Sequence, residues 1–149
     1  MYHHLVGSLL YLTHNHPNIS FDVGLVARYM KTPHAIHWKA AKWILLYVCG
    51  TVQFEIHYSS GGTPLLVGFT DSDWTGGPDD RKSTAGYVFI LGSGPVTWTY
   101  KKQQAIALSS VEAEYRAAVN ASQEALWLRQ IHSEFGFQHQ HPTSLWCDN

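Results

Sequence analysis

Two apolar runs of the sequence lead into aspartates. In LLVGFTDSDW, Val67 and Phe69 precede Asp71, and alternation puts all three on one face of a strand. In SLWCDN, Leu145, Trp146 and Cys147 precede Asp148. A carboxylate at the end of a buried strand is costly unless it is paired or bound to a cation. Asp71 alone has two readings, a residue that caps a turn or a ligand. If the two strands are parallel neighbours, their carboxyl ends coincide and the two carboxylates meet. Such a pair repels, and one member protonates unless a cation intervenes. A hard divalent cation with oxygen ligands is the natural solution.

The stretch ALSSVEAEYRAA, residues 107–118, adds Glu112 and Glu114. Ser109 and Glu112 have the spacing of a capping box, in which the Glu side chain reaches back to the backbone N–H of the cap. Glu114 lies about 200° further round a helix of 3.6 residues per turn. It heads a stripe with Ala117, Ala118 and Ala121, small residues suited to lying close on a sheet. An inward glutamate has a reason if it joins Asp71 and Asp148 at a metal site. The competing reading makes both glutamates solvated charges favoured by the helix dipole.

The elements that must position these residues are legible as patterns. Leu5, Leu9 and Leu12 recur at helical spacing until HNHPN breaks the run at Pro17. Val23, Val26, Ala27 and Met30 predict a second helix. Residues 35–48 predict a third, with Gly50 where a C-terminal cap belongs. The texture then changes. FEIHYS alternates as a strand does, and SSGGTP is a turn. LLVGFTDSDW reads as a central strand and TGGPDDRKST as a polar loop. AGYVFILG and PVTWTY form a hairpin-like pair through SGP. A helix runs from ALSSVEAEY to about Phe135, the loop GFQHQHP follows, and TSLWCDN is a short strand. A helix before the last strand implies a mixed sheet whose last strand is parallel to an earlier one through a right-handed crossover.

Bulk properties bound the function. The 149 residues are 45% apolar, enough for a packed core. Six Trp and eight Tyr leave room for docking surface beside core packing. Residues 1–50 carry Arg28, Lys31, Lys39 and Lys42 against Asp22 alone, whereas residues 51–149 carry six basic and ten acidic residues. A basic front and an acidic back suggest two tasks, although charge on small surfaces also fluctuates. Cys49 and Cys147 support neither a disulfide framework nor a cysteine zinc site, so a reduced intracellular protein, cytoplasmic or nuclear, is expected. Ten histidines, including His139 and His141, lack zinc-finger spacing. No stretch approaches the roughly 20 apolar residues of a membrane helix, and LVGSLLYL has no basic residue before it as a signal peptide would. No membrane partner is expected.

FTDSDWTGGPDDRKSTAGYVFILGSGPVTW, KKQQAIALSSVEAEYRAA, LWLRQI and LWCDN, in this order and spacing, closely resemble the ribonuclease H region of copia-type retrotransposon Pol polyproteins. YHHLVGSLLYLTHNHPNISFDVGLVARYM and HWKAAKWILLYVCGT resemble what precedes it there, the thumb-side end of the reverse transcriptase. The resemblance implies an α/β (α+β) chain: a small helical segment, residues 1–52, then a ribonuclease H-like mixed sheet with flanking helices, residues 53–149. It implies Asp71, Glu114 and Asp148 as catalytic residues and ligands of two magnesium ions, with manganese a substitute. It implies an RNA–DNA hybrid as partner, metal-dependent hydrolysis of its RNA strand during reverse transcription, and the rest of the Pol polyprotein as a further partner. Arg81, Lys82, Lys101, Lys102 and Arg116 are the candidates to hold phosphates, with Ser83 and Gln103 adding hydrogen bonds.

Two departures from the family pattern stand out. His16-Pro17-Asn18 replaces an Arg-Pro-Asp triplet, which removes two charges. The helix-borne fourth acidic residue and the last strand of the family are not found before Asn149. The expectation is a domain incomplete at its carboxyl end. The alternative function is then a non-catalytic retroelement remnant that at most binds nucleic acid or a partner.

Overall fold

The computed structural model describes residues 1–61, 65–74 and 81–148. Most of the polar loop TGGPDDRKST and the end of the turn SSGGTP lie outside the described residues. The chain divides into two compact units, Met1–Glu55 and Ile56–Asn149.

The first unit is helical: α1 (Tyr2–Leu12), a 3-10 turn (Pro17–Ile19), α2 (Ser20–Ala27) and α3 (Ala35–Gly50). Pro17 opens the turn, where its missing N–H costs nothing. The core joins Tyr2, Val6 and Leu9 of α1 to Ile19, Val23, Val26, Ala41 and Ile44. The seam of α1 therefore runs through Tyr2, Val6 and Leu9, and the expected Leu5 and Leu12 only flank it. The reason is Tyr2, whose buried hydroxyl donates to the Val26 carbonyl at 2.6 Å and fixes the helix rotation. Where the triplet departs, Asn18 donates its side-chain amide to the Tyr47 hydroxyl at 2.8 Å. The α3 helix runs through Gly50, and Thr51 closes it by donating its hydroxyl to the Tyr47 carbonyl at 2.8 Å.

The second unit holds β1 (Leu66–Asp73), β2 (Thr84–Leu91), β3 (Gly94–Lys102), α4 (Ser110–Glu134) and β4 (Ser144–Cys147). The sheet order is β3-β2-β1-β4, antiparallel except for the parallel β1–β4 pair. A parallel neighbour requires a crossover, and α4 supplies it. This mixed four-stranded sheet with α4 packed against it is consistent with a ribonuclease H-like α/β fold. Gly92, with φ of 61°, makes the turn between β2 and β3.

Alternation along β1 decides which side chains meet α4. Leu66, Gly68 and Thr70 are buried, while Phe69 and Asp71 are exposed. The core under α4 is Leu66, Phe89, Ala121 and Leu128. A side chain at Gly68 would collide with the Phe89 ring and with Leu145, so the glycine makes room for both. FEIHYS is not a strand. Its alternation instead seats Ile56 and Tyr58 against Gly94 at the hairpin turn, and the Tyr58 hydroxyl donates to the Pro95 carbonyl at 2.6 Å. Among the described residues no helix is long and apolar enough to cross a membrane.

Candidate active site

Strand register brings the two aspartates together. Phe69 pairs with Trp146 and Thr70 with Cys147 in the parallel ladder. Asp71 and Asp148 are the next residues on strands about 4.8 Å apart. Contrary to the expectation from the sequence, Asp71 is not the end of its own strand. Pairing with β2 carries β1 on to Asp73 opposite Thr84, so Asp71 marks the point where β4 leaves off. Asp71 and Asp148 are both exposed.

The α4 helix starts near this point because two side chains hold it there. Trp74, just past β1, donates its indole N–H to the Ala107 carbonyl at 3.3 Å. Gln103, just past β3, donates its amide to the Ala113 carbonyl at 2.8 Å, and its backbone N–H reaches the Ser83 carbonyl at 2.9 Å. Gln103 is buried and Ser83 wholly so. Neither is therefore presented to a nucleic acid as expected: Gln103 pins the helix, and Ser83 is part of the support. Trp74 was not foreseen, and only its place directly after the acidic strand could have signalled it.

The two glutamates of α4 differ in position. Ser109 caps the helix and accepts the Glu112 N–H at 3.1 Å. The Glu112 carboxylate reaches one residue further back than a capping box predicts, to the Leu108 N–H at 2.7 Å. It also takes a hydrogen bond from Arg116 at 2.6 Å. The Leu108 N–H holds this carboxyl below its ordinary value, burial opposes the shift, and the Arg116 charge adds to it. The inward stripe of α4 is Ala113, Ala117, Ala121 and Leu128. Glu114 and Ala118 lie one step round from it and are half-buried on its shoulder. Glu114 is engaged in an interaction there.

Thus two of the three expected ligands are juxtaposed by register, and the third sits on the flank of the crossover helix. Asp71 lies on the sheet face turned away from the α4 side. Among the described residues no group of three His, Cys, Asp or Glu could hold a metal ion. The donor type fits a hard divalent cation, since all three are carboxylates. Their positions fit it as a pair of strand-end ligands and not as a closed triad.

Of the expected phosphate holders, Arg81 and Lys101 are exposed, and Lys82, Lys102 and Arg116 are half-buried. Arg81 adopts a left-handed backbone with φ of 54°. Lys101, Lys102, Gln103 and Arg116 border one groove of about 830 Å³ between α4 and the β2–β3 pair. Within it Glu124 accepts from Thr97 at 3.1 Å. Burial, and then the neighbouring Glu124 carboxylate, push the Tyr87 hydroxyl up to about 12.

No family model and no solved structure matches the chain. Curated proteins do. The chain is 41% identical over 148 residues to a retrovirus-related Pol polyprotein from transposon RE2 of Arabidopsis thaliana, covering 99% of the chain. It is 40% identical over 149 residues to the corresponding polyprotein from transposon TNT 1-94 of Nicotiana tabacum. The match takes in 10% of the first polyprotein and 11% of the second, so the chain spans about a tenth of their length. It is also 41% identical over 124 residues to secreted RxLR effector protein 161 of Plasmopara viticola, covering 83% of the chain and 87% of that protein.

Proposed function

Since the chain belongs to the copia-type, retrovirus-related Pol polyproteins of transposons, we propose that residues 53–149 are its ribonuclease H region, acting on the RNA strand of RNA–DNA hybrids. Residues 1–52 are the thumb-side end of the reverse transcriptase in this reading. The observation that carries it is the pairing of Thr70 with Cys147, which sets Asp71 beside Asp148 at the end of the parallel ladder. Two carboxylates so placed would offer oxygen ligands to a divalent cation, and magnesium is the ion proposed. Asp71 and Asp148 would hold it, with Glu114 approaching from α4. Of the two ions this reading expects, one would supply an activated water and the other would stabilise the departing oxygen.

The protein's own residues supply position and charge. Trp74 and Gln103 tie the start of α4 to the ends of β1 and β3. In this reading Arg81, Lys82, Lys101 and Lys102 would hold phosphates, which set register without reading sequence. A hybrid is then recognised by its shape and its 2′-hydroxyls.

The test is cleavage of an end-labelled RNA–DNA hybrid by the whole chain with magnesium or manganese. Cleavage of the RNA strand that disappears in Asp71→Asn is the expected result. No turnover with either ion, together with hybrid binding that Asp71→Asn leaves unchanged, would replace this reading with a non-catalytic nucleic-acid-binding segment.

A further inference from the structure

The segment between α4 and β4 folds back along the helix that it has just left. Gly136, with φ of 83°, makes the turn, and the Phe137 N–H closes it on the His132 carbonyl at 2.8 Å. Arg129 then holds the returning chain. Its guanidinium donates to the His141 carbonyl at 2.8 Å, to the Thr143 hydroxyl at 3.2 Å and to the His139 carbonyl at 3.4 Å. Alongside these bonds His132 Nδ1 meets His139 Nε2 at 2.6 Å, with the ring centroids 4.8 Å apart and the planes at 29°. Elsewhere the segment stands off α4 over a cavity of about 600 Å³ bordered by Leu126, Gln140 and Pro142. Polar contacts at a few points therefore seat it.

Two ring nitrogens at that distance share a single proton. A neutral imidazole has one donor and one acceptor, whereas an imidazolium has donors alone. The contact therefore holds with no extra proton or with one. One extra proton suits His132, which lies in the last turn of α4, where the helix dipole favours a cation. A second sets N–H against N–H and puts two positive rings in contact beside the Arg129 guanidinium. Burial, and then the charges of His132 and Arg129, hold His139 below its ordinary value. Of the other ionisable groups nearby, Glu134 is exposed at the end of α4 and accepts the Gln130 amide at 3.3 Å. His141 is exposed and enters through its carbonyl. Cys147 is exposed at the far end of β4.

The contact bears on β4. That strand has four residues, Leu145 is its one half-buried side chain, and Thr143, which Arg129 holds, is the residue before it. We propose that His132 and His139 form a pH-sensitive clasp that seats β4 on β1, closed while the pair carries at most one extra proton and opened by the second. Opening loosens β4, and Asp148 with it. Because the folded-state value of His139 is depressed, the clasp's contribution is complete above the ordinary value of 6.5 and lost as pH falls through the lower one. The clasp needs neither the nuclease reading nor a divalent cation.

Amide hydrogen exchange on the whole chain tests it, read by mass spectrometry on fragments covering residues 137–147 and corrected for the intrinsic rate at each pH. The range from about pH 7.5 to about pH 5 lies above that of ordinary carboxylates. Across it, protection of this segment should fall about three- to tenfold, the equivalent of one hydrogen bond, while the β2–β3 hairpin changes less than about twofold. His139→Gln replaces the ring with an amide that does not titrate there, so protection of the segment should become flat across the range. His132→Gln should do the same from the helix side. The inference is overturned if protection in the unaltered chain is flat, if it falls in either variant as it does in the unaltered chain, or if the hairpin loses protection in step. The assay holds no hybrid and no divalent cation, so hybrid cleavage can fail while the clasp stands, and the reverse.

Discussion

Thr70 and Cys147 face each other across the parallel β1–β4 ladder, so the residue that follows each of them is an aspartate. Backbone pairing alone thus brings Asp71 and Asp148 together, whatever their side chains prefer. A cation bound there would be shared by the two carboxylates.

That relation gives a prediction that does not depend on turnover. Magnesium should raise the thermal stability of the chain, by up to about 2.7 kcal/mol at a hundredfold excess over Kd. Asp71→Asn should abolish the gain while costing little in the absence of metal, because Asp71 is exposed. A melting series with and without magnesium measures both, and an equal gain in the variant would rule out the pair as the ion's site.

Hybrid cleavage should separate the two glutamates of α4. Glu114→Gln should lower the rate by about 100-fold or more, as expected for a metal-ligating carboxylate. Glu112→Gln should leave it near normal, since Gln still accepts the Leu108 N–H and loses only the charge opposite Arg116. Reversed outcomes in a single-turnover assay would exchange the two roles.

Glu112 should also leave a mark on the acid limb of stability. Its carboxyl is held below the ordinary value of 4.5, so its contribution is complete above that value and lost as pH falls through the lower folded-state value. Denaturation midpoints between pH 3 and 6, a window around the carboxylate range, should fall less steeply in Glu112→Gln than in the unaltered chain. At the alkaline end the sign is opposite. Tyr87 is raised from 10.0 to about 12, so its contribution is complete below pH 10 and lost towards pH 12. Tyr87→Phe should flatten that limb.

Gly68→Ala should destabilise the second unit by about 1–3 kcal/mol, because the new methyl meets the Phe89 ring and Leu145 in a closed core. Chemical denaturation would show it as a lower midpoint at unchanged slope. A neutral result would mean that Phe89 can turn away.

Gln103 provides a check on its reassignment from ligand contact to helix support. Gln103→Leu should cost about 1–3 kcal/mol, since it removes the donor to the buried Ala113 carbonyl. If it instead left stability intact and weakened oligonucleotide binding, the side chain would belong to the interface after all.

Much of the fold was legible because short-range patterns carry it. The helix from Ser110, its Ser109 cap, the hairpin from AGYVFILG to PVTWTY and the strand ending in Asp148 are local signals of periodicity and turn chemistry. The alternation of FEIHYS misled, since it describes docking of Ile56 and Tyr58 on the hairpin turn and not a ladder. Leu5 and Leu12 were displaced from the α1 seam by the bond from Tyr2 to Val26, a partner 24 residues away that no local window contains.

By itself the sequence determined which residues could do chemistry and the family to which they point: carboxylates after apolar strands, and a capped helix with a second glutamate. Only the tertiary structure decided how they meet. The β1–β4 register made Asp71 and Asp148 neighbours, the phase of α4 set Glu114 on its shoulder, and burial turned Ser83 and Gln103 from ligand contacts into supports. Register and burial are long-range properties. They depend on which surfaces are removed from water when distant segments pack, and no single segment of the chain encodes that.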